Sequence, residues 1–594
     1  MIILKDAYVL TLNSNDDFGR YSILIDGKNI IDITPAGELD PAEKDKTKLA
    51  KWIEKYGSSA EIIDCSSEII IPAIANACLK SEGTFIKYLM RNRHYENKAG
   101  DLFTDLIFNY LYQDSESEEH KEILESLYGY SFAKNLKSGI GMINEFSMRK
   151  DMRHLEPILD AQKLTGQRIS ACYPVRQEFE SLEPFRQINP SCYFTDENQM
   201  TIYDLSNMTD LKKAGIRKFF FEVATNKEVT DEFRRMFGKP VVKLLDEYSL
   251  VDANTAFINP LYLSYDELKI ISEKEASVII CPRDLMNFSN RYFPVDDIIG
   301  SNIKFSIAAG WLGEDLFKEV RIFRNKFKEL NITSSVLLKS ITEVPSTLYS
   351  GKYEGGKDYG IMPGNPADLS FIDINDIRFQ FYPESMNCAH VYDFLIDNVS
   401  SSNFSAIMLD GEFKVRDYKL LSLDEGKVIK AASKTREQLY KIAKYEEISE
   451  KQKDKKSVEK LELSYKEDEE MKLFSEVLEV KETDSGKEKE EFRIKSKIPV
   501  FKRKSAPAQK NLFEEPEKTQ IPQTEEYRDT PSINLLYTEY EKTGDLEEEV
   551  QINKITEEKI LKQAHVEKKK EAPSGKQEGK IELPKNVKLK FGDD

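Results

Sequence analysis

A thiol and an amine stand two residues apart in one apolar stretch of this chain. The stretch reads Ile-Ile-Ile-Pro-Ala-Ile-Ala-Asn-Ala-Cys-Leu-Lys from Ile69 to Lys80. Successive side chains of a β-strand alternate between its two faces, so Cys78 and Lys80 are predicted to share a face. A neighbouring ammonium favours the thiolate form of cysteine, which would make Cys78 a nucleophile. The alternative is a thiol packed in a closed core, the more frequent role of cysteine in apolar strands.

The chain around this stretch has the pattern of an α/β fold. Short apolar runs alternate with amphipathic helical stretches, and the runs lie at 139–143, 168–173, 217–223, 255–258, 276–281 and 304–308. Repeated strand-then-helix units are typical of a parallel sheet with crossover helices, and about 270 residues suit a (β/α)8 TIM-type barrel. Residues at the carboxyl ends of the barrel strands are therefore expected to surround one mouth.

Composition and turn signals divide the chain of 594 residues into five parts. Residues 1–72 and 346–425 flank the barrel, and a resemblance to a known family implies that they are the two parts of one composite β-sandwich domain formed from both ends of the core. The barrel occupies 73–345 and a C-terminal helix 426–447. Residues 448–594 are dense in charge and poor in apolar residues, which predicts a long disordered tail.

Charge and cysteine usage exclude several classes of function. The net charge is −18, and basic and acidic residues are interspersed, whereas a nucleic-acid groove needs a basic stripe. The six cysteines show no CxxC spacing, which favours free thiols in a reducing compartment. No apolar run approaches the roughly 20 residues that span a bilayer. We therefore predict a cytoplasmic protein that binds neither nucleic acid nor membrane.

The opening stretch resembles the first barrel strand of the amidohydrolase superfamily, most closely the branch of triazine chlorohydrolases and guanine deaminase. In that branch an apolar strand leads into Pro-Gly and then Asn-Ala-His-x-His. Here Pro72, Asn76 and Ala77 match the frame. Ala73 takes the glycine place, and Cys78 and Lys80 take the two histidine places.

Two later segments also resemble this family. Residues 359–373 are similar to its Gly-x-x-x-Pro-Gly-x-x-Ala-Asp-Leu return strand, with the first glycine one place late at Gly360. Residues 406–415 are similar to its Val-Asp-Gly-Lys hairpin. The resemblance covers about residues 1 to 445 and implies the barrel and the composite domain together.

A mononuclear member of the family holds zinc or iron with histidines after strands one, five and six and an aspartate after strand eight. The metal lowers the pKa of a bound water toward neutrality. On this resemblance Glu222 stands at the strand-five histidine and Thr225 at the proton-shuttling glutamate. Asn259 stands at the strand-six histidine, Tyr262 at a substrate-contacting histidine, and Gly310 at the aspartate.

The histidine inventory tests this alignment independently of its register. The five histidines are His94, His120, His154, His390 and His565, and no two of them form His-x-His. The strand-seven motif keeps Cys281 and Pro282 but has Ile280 in its histidine place. We therefore predict that no metal or other cofactor is bound. The residues assigned to ligand binding are His94, Tyr262 and Trp311.

Two charged side chains replace the predicted metal ligands. We expect Lys80 and Glu222 to form an ion pair at the vacated position, because their charges would neutralise each other. Asp284 is a second candidate for acid–base chemistry, although a carboxylate beside Arg283 is expected to form an ion pair. The aromatic residues expected to plug the mouth are Phe219, Phe220, Phe221, Tyr262 and Trp311.

Two functions follow from these expectations. The first is a catalytically inactive pseudoenzyme that binds a small molecule or a protein, with the charged tail reaching the partner. The alternative is a hydrolase of non-peptide C–N bonds, of the deaminase or chlorohydrolase type, that uses a non-standard site. Members of the resembled family are commonly dimers or larger, so the resemblance leaves a homodimer as an open alternative.

Overall fold

The computed structural model describes residues 1–42, 46–85, 118–146, 155–173, 175, 189–195, 197–288, 293–313, 315–350, 359–375 and 386–453. These residues belong to one compact unit that spans Met1–Val480. The predictions for His94, His154, His565 and the tail after residue 453 lie outside the described residues.

Eight parallel strands form the barrel. Their order in the sheet follows the chain, so each strand pairs with the next one along the sequence. The strands are β6 (Ile74–Leu79), β7 (Ile140–Glu145), β8 (Arg168–Tyr173), β9 (Ser191–Thr195), β10 (Lys218–Glu222), β11 (Thr255–Ile258), β12 (Ser277–Ile280) and β13 (Phe305–Ile307). The first and last strands meet at a parallel bridge between Leu79 and Gly310. Gly310 N donates to Cys78 O at 2.9 Å and Lys80 N donates to Gly310 O at 3.2 Å, which closes the barrel.

The described helices between residues 118 and 300 separate the barrel strands, and the others precede the first barrel strand or follow the last one. The helices are α1 (Lys48–Tyr56), α2 (Glu118–Lys137), α3 (Leu155–Thr165), α4 (Ile202–Lys213), α5 (Lys227–Phe237), α6 (Val241–Glu247), α7 (Tyr265–Glu273), α8 (Pro282–Phe288), α9 (Val295–Gly300), α10 (Leu316–Lys326), α11 (Ser334–Lys339), α12 (Glu343–Ser350), α13 (Cys388–Asn398) and α14 (Glu425–Lys453). Side-chain caps explain several starts, because an N-cap oxygen satisfies an orphan backbone N–H. Thr201 and Asp204 form a capping box at α4, and Asn226 caps α5.

A nine-stranded sheet contains strands from both ends of the core, as predicted for the composite domain. Its order is β17-β16-β15-β14-β5-β1-β2-β3, with β4 paired to β1. The strands are β1 (Ile2–Leu10), β2 (Phe18–Asp26), β3 (Asn29–Pro35), β4 (Glu61–Asp64), β5 (Glu68–Pro72), β14 (Leu369–Asp373), β15 (Phe404–Leu409), β16 (Glu412–Arg416) and β17 (Lys419–Leu420). The antiparallel pairing of β5 with β14 joins the two ends, with Ile71 opposite Ser370.

The sheet domain contacts the barrel at the amino ends of the barrel strands. Arg168, the first residue of β8, pairs with Asp368 at 2.7 Å and with Asp410 at 2.5 Å. Ser370 Oγ donates to Gly139 O, just before β7, at 2.9 Å. The opposite end, where the predicted site residues lie, is therefore not covered by these contacts.

The C-terminal helix is longer than predicted. Helix α14 begins at Glu425 and ends at Lys453, six residues beyond the predicted end at 447. Ala432 and Leu439 are buried in the main hydrophobic cluster, and Lys137 bonds Glu425 at 2.7 Å. Residues 450–453 are Glu, Lys, Gln and Lys, which have high intrinsic helix propensity, so the extension agrees with the local sequence. In the described part of the chain, no helix combines the length and apolar character needed to cross a bilayer.

The prediction that a run of phenylalanines plugs the mouth is wrong for two of its three members. Phe219 and Phe221 pack in the main cluster among residues of the surrounding helices, and only Phe220 lies in the barrel interior. Alternation along β10 is the reason, because Phe220 and Glu222 share the inward face and Phe219 and Phe221 the outward one.

Candidate functional site

The central feature of the mouth is an ion pair between the first and fifth barrel strands. Lys80 Nζ donates to Glu222 Oε1 at 2.9 Å and to Glu222 Oε2 at 2.8 Å. Lys80 directly follows β6 and Glu222 is the last residue of β10, so both stand at the carboxyl ends of parallel strands. The side chain of Lys80 is 3% exposed and that of Glu222 18% exposed. The ion pair expected from the sequence is confirmed.

Aromatic side chains surround the ammonium group. Lys80 Nζ lies 5.0 Å from the ring centre of Trp311 and 5.9 Å from that of Tyr193, within the range of cation–π attraction. The Tyr193 hydroxyl also donates a hydrogen bond to Glu222 Oε2. Tyr193 is not among the residues predicted from the sequence. The only signal for it is its place in β9, two residues before Thr195, which lies opposite Glu222 in the barrel sheet.

The pair is held in its charged form. Burial alone would lower the pKa of Lys80, but the Glu222 carboxylate raises that pKa well above its ordinary range. Burial would raise the pKa of Glu222, but the Lys80 charge and hydrogen bonds from Lys80, Tyr193 and Thr195 lower it. The two opposite charges therefore stabilise each other in a site with little access for water.

A closed apolar cluster fills the barrel interior next to the ion pair. Its buried members are Ala77, Cys78, Phe146, Cys172, Phe220, Ala256, Ile258, Ile279, Cys281, Ala308 and Leu348. Cys78 has no exposed surface, and Cys281 is 1% exposed. A hydrogen bond with Cys78 and burial raise the pKa of the Cys281 thiol. This environment agrees with the packed-core alternative for Cys78, because a nucleophile must be reachable.

The side chain of Asn259, at the strand-six position, accepts a hydrogen bond from the backbone of the neighbouring strand end. Its Oδ1 accepts a hydrogen bond from Cys281 N at 2.8 Å, and its own φ is +48°. Asparagine is one of the few residues that adopt this left-handed conformation at low cost. Asn76 acts similarly, since its Oδ1 accepts from Ala309 N at 3.2 Å and from Cys78 N at 3.3 Å. Both asparagines therefore tie barrel strands together at the mouth.

The expected ion pair between Arg283 and Asp284 is replaced by another arrangement. Arg283 pairs with the fully buried Glu319 of α10 at 3.0 Å. Asp284, on α8 just after β12, accepts hydrogen bonds from Trp311 N at 2.8 Å and Leu312 N at 3.0 Å. Adjacent side chains of a helix point in different directions, which separates Arg283 from Asp284. The Asp284 carboxylate therefore belongs to the mouth.

The remaining predicted residues lie around the edge of this site. Thr225 is half-buried and follows Ala224, which has a φ of +56°. Tyr262 is half-buried, its N donates to Ala224 O at 2.9 Å, and its side chain packs against the main cluster. His390 is exposed, and it forms a capping box with the N-cap residue Asn387 at the start of α13. Across the residues that the structure describes, no group of three or more His, Cys, Asp and Glu side chains is arranged to hold a metal ion.

Solved structures of a chlorohydrolase and of two deaminases share this fold. Atrazine chlorohydrolase from Arthrobacter aurescens, complexed with zinc, matches with a TM-score of 0.60 and 12% identity over 73% of this chain and 100% of that one. An adenosine deaminase from Xanthomonas campestris with bound zinc has a TM-score of 0.59 and 13% identity over 74% of this chain and 98% of its own. Guanine deaminase from E. coli matches at 0.55 with 10% identity, over 70% of this chain and 99% of its own.

Sequence relatives are deaminases. A 5-methylthioadenosine/S-adenosylhomocysteine deaminase of Pyrococcus furiosus is 25% identical over 214 residues, which are 34% of this chain and 48% of that protein. Thus the match spans about half the length of this relative. The protein of the same description from Caldicellulosiruptor saccharolyticus is 19% identical over 451 residues, 72% of this chain and 96% of its own. No family model matches the chain.

The barrel and the composite sheet define a TIM-barrel protein with the fold of these solved structures. These sequence relatives and the shared fold together support the placement of this chain in the amidohydrolase superfamily.

Proposed function

We propose that this protein is a catalytically inactive member of its superfamily, in which the Lys80–Glu222 ion pair stands where relatives bind a metal. The observation that carries the proposal is the contact of Lys80 Nζ with both carboxylate oxygens of Glu222, at 2.9 and 2.8 Å. The barrel then serves as a body that binds a small molecule or a protein.

The residues at the mouth do not fit a divalent metal ion. A zinc site needs neutral imidazoles, thiolates or carboxylates, and an ammonium group has no lone pair to offer while it is charged. The raised pKa of Lys80 keeps it charged, and both oxygens of Glu222 already accept its hydrogen bonds. Gly310 has no side chain. A cation placed here would be repelled by Lys80 and would have to displace it.

Hydrolysis also needs a group that shuttles protons and an accessible nucleophile, and the mouth residues do not fit these roles. Deamination by this family needs an activated water and a carboxylate that moves protons. Thr225, at the place predicted for that carboxylate, has a hydroxyl that does not ionise near neutral pH. The Cys78 thiol is fully buried. These features together favour binding over turnover.

A metal analysis combined with an activity screen tests the proposal. Purified protein is incubated with zinc or ferrous iron, desalted and measured by elemental analysis, and is assayed on aminopurine nucleosides, pyrimidines and triazines. We expect metal far below one ion per chain and no turnover. One tightly held ion per chain, or turnover that disappears in Glu222→Gln but survives in the exposed control Glu228→Gln, contradicts the proposal.

The second candidate is a hydrolase of C–N bonds with a non-standard site. Its support is the match to deaminases of methylthioadenosine, S-adenosylhomocysteine and 5'-deoxyadenosine, together with a buried carboxylate, Asp284, at the mouth. If this candidate is correct, turnover of an aminopurine nucleoside, pyrimidine or triazine is lost in Asp284→Asn as well as in Glu222→Gln.

A partner protein bound through residues after Lys453 is part of the first proposal. Helix α14 ends at Lys453, so a chain ending there keeps every described element. Affinity capture with full-length and shortened chains compares their partners. A partner retained by the shortened chain assigns binding to the barrel and the sheet domain instead.

A further inference from the structure

The carboxylate of Asp284 occupies the space beside residue 310. Gly310 has a φ of +59°, and a Cβ added to it would lie 2.0 Å from Asp284 Oδ2. Asp284 itself is 4% exposed. A carboxylate from the start of α8 thus stands against the end of the eighth strand, where the family resemblance puts an aspartate at position 310.

The same carboxylate fixes the backbone of Trp311. Asp284 Oδ2 accepts from Trp311 N at 2.8 Å, and Oδ1 accepts from Leu312 N at 3.0 Å. On its other side, the Trp311 carbonyl is so close to Gly83 that a Cβ on that glycine would lie 2.0 Å from Trp311 O. Hydrogen bonds to an ionised acceptor are stronger than neutral ones, so two of them restrict this segment firmly.

The restricted residue covers the buried ion pair. The Trp311 ring lies 5.0 Å from Lys80 Nζ, and the Lys80 side chain is 3% exposed. Lys80 N also donates to Gly310 O at 3.2 Å, which links the backbone of Lys80 to the residue that directly precedes Trp311.

We propose that Asp284 is a positioning residue that holds Trp311 as a cap over the Lys80–Glu222 ion pair, and that protonation of Asp284 loosens this cap. The inference holds whether or not the barrel retains activity, because it concerns only the closure of the mouth.

The charges that face Asp284 set the pH at which the cap responds. Burial raises the pKa of Asp284 to about 7, against the hydrogen bonds from Trp311 and Leu312 and the charge of Lys80. Glu222 raises this pKa further, and Glu319 and Cys281 are the other titratable neighbours. A protonated carboxyl loses one acceptor position and its negative charge, so both backbone bonds weaken below neutral pH.

Tryptophan fluorescence gives a direct measurement, since the chain has only two tryptophans. Trp52 lies in the sheet domain with Ile3 and Leu24, so Trp52→Phe leaves Trp311 as the single reporter. We expect its emission and its quenching by acrylamide to change in one step with a midpoint near pH 7 in a titration from about pH 5 to pH 9. In the Asp284→Asn background the step is lost, and quenching is high at every pH.

A second titrating carboxyl provides the control. Burial raises the pKa of Glu319 to about 7, so this group would produce a step at the same pH. In Trp52→Phe/Glu319→Gln the step must remain if Asp284 is responsible. A step lost with Glu319→Gln but kept with Asp284→Asn overturns the proposal. If a carboxyl variant fails to fold, the Trp52→Phe protein still tests the proposal. Fluorescence of Trp311 that does not change between about pH 6 and pH 8 also overturns the proposal.

Discussion

Lys80 Nζ lies 2.8 Å from Glu222 Oε2, although the two residues are 142 positions apart in the sequence. Their strands are the first and fifth of the barrel, so the contact crosses the mouth rather than following the sheet. Such a contact forms only when the barrel is complete. The pair is therefore a sensitive reporter of the closed barrel.

Replacing one residue of the Lys80–Glu222 pair is expected to lower the free energy of unfolding more than replacing both. Lys80→Met or Glu222→Gln leaves a buried charge without its partner and should lower the free energy of unfolding by about 3 to 5 kcal/mol. The double variant Lys80→Met/Glu222→Gln should recover to within about 2 kcal/mol of the wild type. Urea unfolding of the four proteins measures this cycle.

An exposed ion pair provides the matched control for this cycle. Lys163 and Asp160 are 3.1 Å apart, and their side chains are 67% and 38% exposed. Lys163→Met should change stability by no more than about 0.5 kcal/mol. Additive effects at Lys80 and Glu222 would show that the two side chains do not interact.

Lys218, at the opposite end of the barrel, should make the free energy of unfolding change with pH above neutrality. Its ammonium donates to Tyr349 O at 2.8 Å and to Ser170 Oγ and Asn189 O at 3.3 Å, all uncharged acceptors. Burial lowers its pKa to about 7. The unfolded chain, with a lysine pKa near 10.4, then binds more protons than the folded chain between about pH 7 and pH 10.

Stability should therefore rise with pH across this range, by an amount on the order of 2 to 4 kcal/mol. In Lys218→Met this contribution is absent. The difference between the two proteins in unfolding free energy, measured at neutral and at alkaline pH, isolates it from other groups. The exposed Lys213→Met variant should keep the wild-type dependence, and a Lys218→Met protein that also keeps it would refute the lowered pKa.

Gly310 and Gly238 should respond differently to the same substitution. Both have a positive φ, +59° and +68°, which alone costs an alanine about 1 kcal/mol. A Cβ at Gly238 meets nothing within 4 Å, whereas at Gly310 it would lie 2.0 Å from Asp284 Oδ2. Gly310→Ala should therefore be more destabilising than Gly238→Ala by about 1 to 3 kcal/mol in thermal or urea unfolding. Equal costs would mean that Asp284 moves aside freely.

Arg168 should be required for the attachment of the sheet domain to the barrel. Its guanidinium pairs with Asp368, which is 8% exposed, and with Asp410. Arg168→Met removes the guanidinium that pairs with both carboxylates and should cost about 3 to 5 kcal/mol. Arg168→Lys should recover only part of this, because an ammonium cannot bond two carboxylates in the same planar geometry. Lys28, 74% exposed and 3.6 Å from Asp410, is the control, and Lys28→Met should have little effect.

Sequence patterns predicted the strand ends of the site to within one residue, since the runs at 217–223 and 276–281 each extend one residue past the strand and the run at 255–258 ends with it. Glu222 ends its strand, and Asn259 and Cys281 directly follow theirs. The reason is local, since the period of a β-strand and the length of each apolar run determine where a strand ends and which face a residue takes. The same alternation argues against Phe219 and Phe221 in the mouth, so that error was avoidable from the sequence.

The spacing of Cys78 and Lys80 predicts a shared face, and the histidine count alone excludes a His-x-His pair, because both are properties of neighbouring residues and of composition. In contrast, the folded barrel was needed to show that Asp284 fills the space beside Gly310, that Tyr193 bonds Glu222 and that the Trp311 ring lies against Lys80. These contacts join different strand ends. Their distances depend on the closure and helix packing of the whole barrel, which no local pattern encodes.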